Sequence, residues 1–373
     1  MADRYWVGGT ANWDGTAGSK WALTSGGTGG EAVPTAGDDV FFDSASGNVT
    51  VTVASTPALA LNLSFATFTG TFAGSTAVTV SGNLTLDNTM AGYTNTAALT
   101  FNATSGTQVV TTDGVVIAAV VTQAGDGGTV QLFDNWTMGS TRTYTLTNGT
   151  LDLNGKTLSC GIFSSNNSNT RNITSGGGGI TVTGSGASVW ALNTVTNFTL
   201  TGNLTVTFNY SGSTGTRTIA CGATAEANSV SLAITAGTDA LAITGSSKGI
   251  DCTGHTGGAL GSGTRTIYGG LITTSGMTTT DGTAVTTFAA TSGTHSLTSA
   301  GITWGFPMTF NGVGGTWKLQ DQINQAATRA LLVTNGTIDL NGFKITGGLF
   351  TIDDTTSSGG GMRLAGHGGL ASG

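Results

Sequence analysis

The feature that most restricts what this chain can fold into is a duplication. The segment Thr141-Arg142-Thr143-Tyr144-Thr145-Leu146-Thr147-Asn148-Gly149-Thr150-Leu151-Asp152-Leu153-Asn154-Gly155 returns as Thr328-Arg329-Ala330-Leu331-Leu332-Val333-Thr334-Asn335-Gly336-Thr337-Ile338-Asp339-Leu340-Asn341-Gly342, offset by 187 residues and identical at 10 of 15 positions. At the same offset and without a gap, Phe101 meets Phe288, Gly127-Gly128-Thr129 meets Gly314-Gly315-Thr316, and Gly82, Leu84 and Met90 meet Gly269, Leu271 and Met277. The match runs from about residue 82 to about 163, with its second copy at 269–350, and defines a repeated structural module. Shorter echoes run beneath it: Ser81-Gly82-Asn83-Leu84-Thr85-Leu86 resembles Thr201-Gly202-Asn203-Leu204-Thr205-Val206.

Between the echoes the texture is that of strands and tight turns. In Ala77-Val78-Thr79-Val80 and Ile180-Thr181-Val182-Thr183, apolar and hydroxyl side chains alternate, so one face turns inward and the other to solvent. The chain holds 62 Gly but only 3 Pro and just 2 Glu, Glu31 and Glu226, and nowhere shows the spaced apolar residues of a helix. Its wealth of Val, Ile, Leu and Phe and its 8% charged residues are the reverse of a disordered composition. Two all-β architectures fit: a Gly/Thr-rich β-solenoid of the parallel β-helix type, or tandem β-sandwiches in which Asn-Gly steps close hairpins. Gly-rich rungs, scarce proline and the lack of a conspicuous core tryptophan favour the solenoid.

Three regions follow. Residues 1–50 carry Trp6, Trp13 and Trp21 together with Phe41 and Phe42, aromatic bulk suited to covering the open end of a solenoid or to serving as an attachment surface. Residues 51–356 form the β-repeat body, and 357–373 read as a flexible Gly-rich tail.

Charge excludes one large class of function. The net charge is −7 and no basic cluster exists, whereas a nucleic-acid binder needs grouped Lys and Arg to displace counterions. The longest apolar run, Val115 to Val121, is too short to cross a bilayer as a helix, and no membrane association is expected. Met1-Ala2-Asp3-Arg4-Tyr5-Trp6 lacks the pattern of a secretory signal, so assembly in a cytoplasm is expected. Cys160, Cys221 and Cys252 are an odd, sparse set and not a disulfide framework.

Trp6-Val7-Gly8-Gly9, Trp13, Trp21 and Val33-Pro34-Thr35-Ala36-Gly37-Asp38-Asp39-Val40-Phe41-Phe42 resemble the opening of autotransporter-associated β-strand-repeat proteins and of related bacteriophage tail or head appendage proteins. The resemblance covers roughly residues 5 to 45 closely and implies a surface-exposed β-solenoid. The sequence departs from autotransporters in showing neither their signal nor their carboxy-terminal barrel, which turns the implication toward a phage particle.

Candidate chemical groups are few. Asp152 and Asp339 stand at equivalent repeat positions, which points to a turn role over catalysis; the adjacent Asp353 and Asp354 point to opposite strand faces. Asp251-Cys252-Thr253-Gly254-His255, with His295 and His367, offers metal-binding residue types at a spacing that matches no ligand pattern. Gly176-Gly177-Gly178-Gly179 lacks the Lys of a phosphate loop. Five arginines, Arg142, Arg171, Arg217, Arg265 and Arg329, recur in similar contexts; they either line one face as a glycan-contact ladder or cap carbonyls and pair with Asp at rung corners, the latter being favoured. Catalytic residues, cofactor and metal are accordingly expected to be none. The expectation is a non-enzymatic virion-surface protein, a tail fibre or appendage or a capsid decoration, that contacts capsid or tail proteins and host-surface glycan and can form a homotrimer. A glycan-depolymerising tailspike and a bacterial surface adhesin are the alternatives.

Overall fold

A computed structural model describes residues 2–352, apart from 186, 213, 214, 262 and 281. Within it the chain is all-β and coils as a parallel β-solenoid; the helical turns among the described residues are two short 3-10 segments, Ser44–Ser46 and Glu226–Asn228. Among the described residues the ladders pair in parallel, with one exception at the amino-terminal edge, so the sandwich alternative does not form. Asn-Gly steps turn corners here instead of closing hairpins. Gly149 (φ 77°) and its repeat counterpart Gly336 (φ 90°) adopt the left-handed conformation that glycine reaches without steric cost.

The chain divides into two compact units, 1–184 with 196–204 and 185–195 with 205–373. In the first unit the opening coil is long, 36 residues from Asp3 to Asp39, and later coils return to the same position after 19 to 27 residues, as Thr143 with Ile162 and Arg171 with Phe198 show. One of its ladders stacks Ala58–Ala60, Val78–Val80, Leu99–Phe101, Val121–Gln123, Thr143–Leu146 and Ile162–Ser164. Inward positions form columns: Val78, Leu99, Val121, Tyr144 and Phe163 are each buried above one another. No coil could bury its apolar row alone, so each depends on the next for its share of the hydrophobic stabilisation.

In the second unit the same logic runs through longer strands. Ala240–Asp251, Met308–Leu319 and Ala330–Asp339 each bend across a corner, with register shifts where they do. Val206, Leu232, Ile250, Leu271, Leu297 and Leu319 continue as one inward column.

The duplicated segments carry the same corner chemistry. Thr112 Oγ1 donates to Asn135 O while Asp134 accepts from the Thr112 and Asp113 amides. In the second copy Ser299 Oγ donates to Gln322 O while Asp321 accepts from the Ser299 and Ala300 amides. Asn154 Nδ2 caps Leu132 O at 3.1 Å and Asn341 Nδ2 caps Leu319 O at 3.0 Å. Corner carbonyls and amides have no ladder partner, and these short polar side chains supply one.

One premise of the sequence reading is overturned. Tryptophan is prominent in the core: all seven, Trp6, Trp13, Trp21, Trp136, Trp190, Trp304 and Trp317, are buried. A coil interior wide enough for stacked aliphatics also accepts an indole where small residues leave it room, as Gly312 and Gly315 on its own strand and Gly336 in the next coil do around Trp317.

Candidate functional site

The amino-terminal aromatics form a closed cluster. Asp3–Trp6 pairs in parallel with Asp39–Phe41 and antiparallel with Trp21–Ala22, which ends that sheet. Trp6 and Trp13 each meet Trp21 edge-on at 5.0 Å, and Phe42 stacks on Phe65 at 4.8 Å. With Trp6, Trp13, Trp21 and Phe42 at most 1% exposed, none of these four rings is presented to a partner. Their packing is that of a first coil filled with aromatic bulk. Phe41 points the other way, half-buried, and stacks on Tyr5 at 4.7 Å.

The arginines correct the idea of an outer ladder. Arg171, Arg217 and Arg265 lie inside the coils at 0%, 2% and 1% exposure, while Arg142 and Arg329 are half-buried. Arg171 donates to the carbonyls of Ser165, Asn169 and Thr196 and lies over the Phe198 ring. Arg217 makes a two-pronged contact with Asp239, Nε to Oδ2 at 2.9 Å and Nη2 to Oδ1 at 2.7 Å, and covers Tyr210. Arg265 donates to Thr286 Oγ1 and Gly261 O, sits 5.0 Å from the Phe306 ring centre, and leaves Nη1 without a hydrogen-bond partner among the described residues. Burial pushes the Arg265 guanidinium down to about 10, against the opposing pull of nearby Cys252. The corner-capping reading therefore describes these three. The sequence carried the signal: Arg171, Arg217 and Arg265 each stand two residues before an isoleucine, Ile173, Ile219 and Ile267, and a strand places i and i+2 on one face.

The acids are engaged structurally. Asp152 Oδ1 accepts from the Asn154 amide and Oδ2 from Gln131; Asp339 Oδ1 accepts from the Asn341 amide, with Lys318 4.0 Å from Oδ2. Asp353, Asp354 and His367 lie outside the described residues. The stretch from Asp251 to His255 does not converge: Asp251 is exposed and caps Thr253, Cys252 is buried, and His255 is buried with Nε2 2.9 Å from Asp239 O. Among the described residues, no three His, Cys, Asp or Glu side chains gather as a metal would require. Burial pushes the Cys160, Cys221 and Cys252 thiols up to about 12, far from a reactive range. Among the described residues, no helix is long and apolar enough to cross a membrane.

What the first unit presents outward is a column of hydroxyls. Thr79 pairs with Thr100, Thr100 with Thr122, Thr122 with Thr145, and Thr145 with Ser164, all partly exposed. Adjacent parallel strands hold such groups about 4.8 Å apart. Sequence reasoning found the threonine alternation but not this alignment, because registration between coils depends on loop lengths.

Comparison with protein-family models, curated proteins and solved structures finds no match.

Proposed function

We propose that this chain is a non-enzymatic structural protein of a bacteriophage virion, a tail fibre or appendage or a capsid-surface decoration, that adheres to a host surface through many weak contacts. The observation that carries the reading is the hydroxyl column from Thr79 to Ser164, a repeated polar array whose spacing is set by a rigid backbone ladder. Such an array gains avidity from repetition and needs no single strong site. The structural employment of Asp134, Asp152, Asp321 and Asp339 in coil corners supports a non-catalytic role, since a glycosidic bond needs a pair of carboxyls held to flank it. The resemblance of residues 5 to 45 to phage appendage and β-strand-repeat openings supports the virion assignment.

The test has two parts. Antibodies against the chain should decorate intact particles in electron micrographs, and fluorescent protein should adsorb to host cells without releasing sugar. New reducing ends from capsule or lipopolysaccharide would replace this reading with a depolymerase; label on the bacterial surface without particles would replace it with an adhesin.

A further inference from the structure

In the second unit, one outward strip of the sheet is hollowed into a trough of about 400 Å³. The register explains the hollow. Ser231 pairs with Gly249, and the adjoining coil places Gly270 beside them, so two successive positions in the outward row have no side chain. Asp251 and Ile272, paired with each other, stand on one flank, and His295 and Ser296 on another.

The two glycines differ in what the fold asks of them. At Gly270 an added Cβ would come 2.4 Å from Ser296 O, so the chain path itself demands glycine. At Gly249, which follows the register shift between the Val230–Ser247 and Ser231–Gly249 pairs, no steric contact does. Its φ is not left-handed, and an added Cβ would stand 3.6 Å from its nearest neighbour, in ordinary contact. Glycine inside a strand weakens it relative to a threonine or valine, so this position forgoes stability that the fold would accept. The open floor is the feature that remains to be explained, and occupancy of the trough by a ligand explains it.

The lining specifies the ligand's chemistry. Asp251 Oδ1 is taken by the Thr253 amide and hydroxyl, while its Oδ2 has no chain donor among the described residues and can accept from hydroxyls. His295 Nε2 lies 2.9 Å from Ser292 O, which in the neutral ring leaves Nδ1 as an acceptor. Ser231 and Ser296 add groups that both donate and accept. Ile272 and the bare Gly249–Gly270 backbone offer a surface for C–H groups. No Lys or Arg lines the trough, and its one carboxylate repels anions. Its size lies near the lower end of the ~300–1,000 Å³ range of small-molecule sites.

We infer that the trough floored by Gly249 and Gly270 binds a short neutral saccharide, its hydroxyls held by Asp251, His295 and the serines. The inference rests on the adhesion reading above and gives it a specific contact point.

Saturation-transfer difference NMR on the full chain tests it, with maltotriose, cellotriose and N,N′-diacetylchitobiose as neutral probes and digalacturonate as the acidic one. At least one neutral probe should receive saturation, digalacturonate none. Gly249→Leu, which fills the floor, and Asp251→Asn should each weaken binding by at least about tenfold. Gly249→Thr, compatible with the strand, should weaken it too while preserving or raising the melting temperature, which separates lost binding from lost folding. Silence from every neutral probe, equal transfer to digalacturonate, or undiminished binding by Gly249→Thr and Asp251→Asn overturns the inference. Host-cell adsorption of the same proteins keeps the two readings apart. Adsorption untouched by these substitutions removes the trough but leaves adhesion standing, whereas saccharide binding without adsorption removes adhesion but leaves the trough.

Discussion

Arg217 and Asp239 face each other across adjacent coils as a two-pronged ion pair, buried to 2% and 3% exposure, and the Asp239 carbonyl also lies 2.9 Å from the His255 ring. Two charges from neighbouring rungs thus neutralise one another in an interior filled mainly by apolar side chains. Removing Asp239 alone, as Asp239→Ala, strands the guanidinium without a counter-charge and should cost about 3–5 kcal/mol. Replacing both partners, as Arg217→Met with Asp239→Leu, should cost clearly less than the single change. Urea unfolding of the two variants checks this, and equal losses would count against it.

The corner carboxylates make a second prediction. Asp134 accepts from two successive backbone amides, and Asp321 does the same in the repeat copy. Asp134→Ala and Asp321→Ala should each destabilise by about 1–3 kcal/mol because the amides of the buried Thr112 and Ser299 lose their acceptor. Amide hydrogen exchange should accelerate first at Thr112–Asp113 in one variant and Ser299–Ala300 in the other.

Acid sensitivity follows from Asp87. The Thr67 amide, and then the Thr89 amide and hydroxyl, hold its carboxyl below the usual carboxylate range. A depressed folded-state value contributes stability that is complete above the unfolded value of about 4 and is lost as pH falls through the folded value. The stability difference between wild type and Asp87→Asn should therefore be present at pH 7 and shrink at lower pH. A difference that grows on acidification would contradict the assignment.

The three thiols should be silent in the folded protein. Their burial, with values near 12, predicts no reaction with a chromogenic disulfide at pH 8 and full reaction in guanidinium. Reaction of any one before unfolding would place it nearer the surface than described here.

All seven tryptophans are buried, so native emission should be blue-shifted as a single population. Trp13→Ala removes an indole that contacts Trp21, Phe42 and Phe72 and should cost about 3–5 kcal/mol. Loss of the aromatic near-ultraviolet dichroism should accompany it.

Much of this architecture was legible in the residues because a strand's period of two writes burial directly into the order of side chains. Val78-Thr79-Val80 reads as in, out, in, and the structure buries it so. The duplicated Asn148-Gly149 and Asn335-Gly336 marked corners for the same reason, since few residues other than glycine turn left-handed there. The parallel sense of pairing was not written locally: Asn-Gly serves a hairpin equally well, and only the accumulation of coils decides. The tryptophans were misjudged because an indole's burial depends on which small residue faces it from a coil some 20 positions away. The capping and pairing of the arginines was the favoured reading of their repeated context, and the isoleucines two positions on carry the further information that Arg171, Arg217 and Arg265 turn inward. The trough could not be foreseen, because Gly249 and Gly270 become neighbours only through registration.

The strand Trp21–Ala22 runs opposite to everything stacked beyond it. A parallel ladder is a template onto which a further copy could dock in the same sense, adding chain after chain as amyloid does. Reversing the edge strand and packing indoles beneath it removes that invitation from this one sheet, whereas the ladder that begins with Ala11–Trp13 keeps a parallel edge.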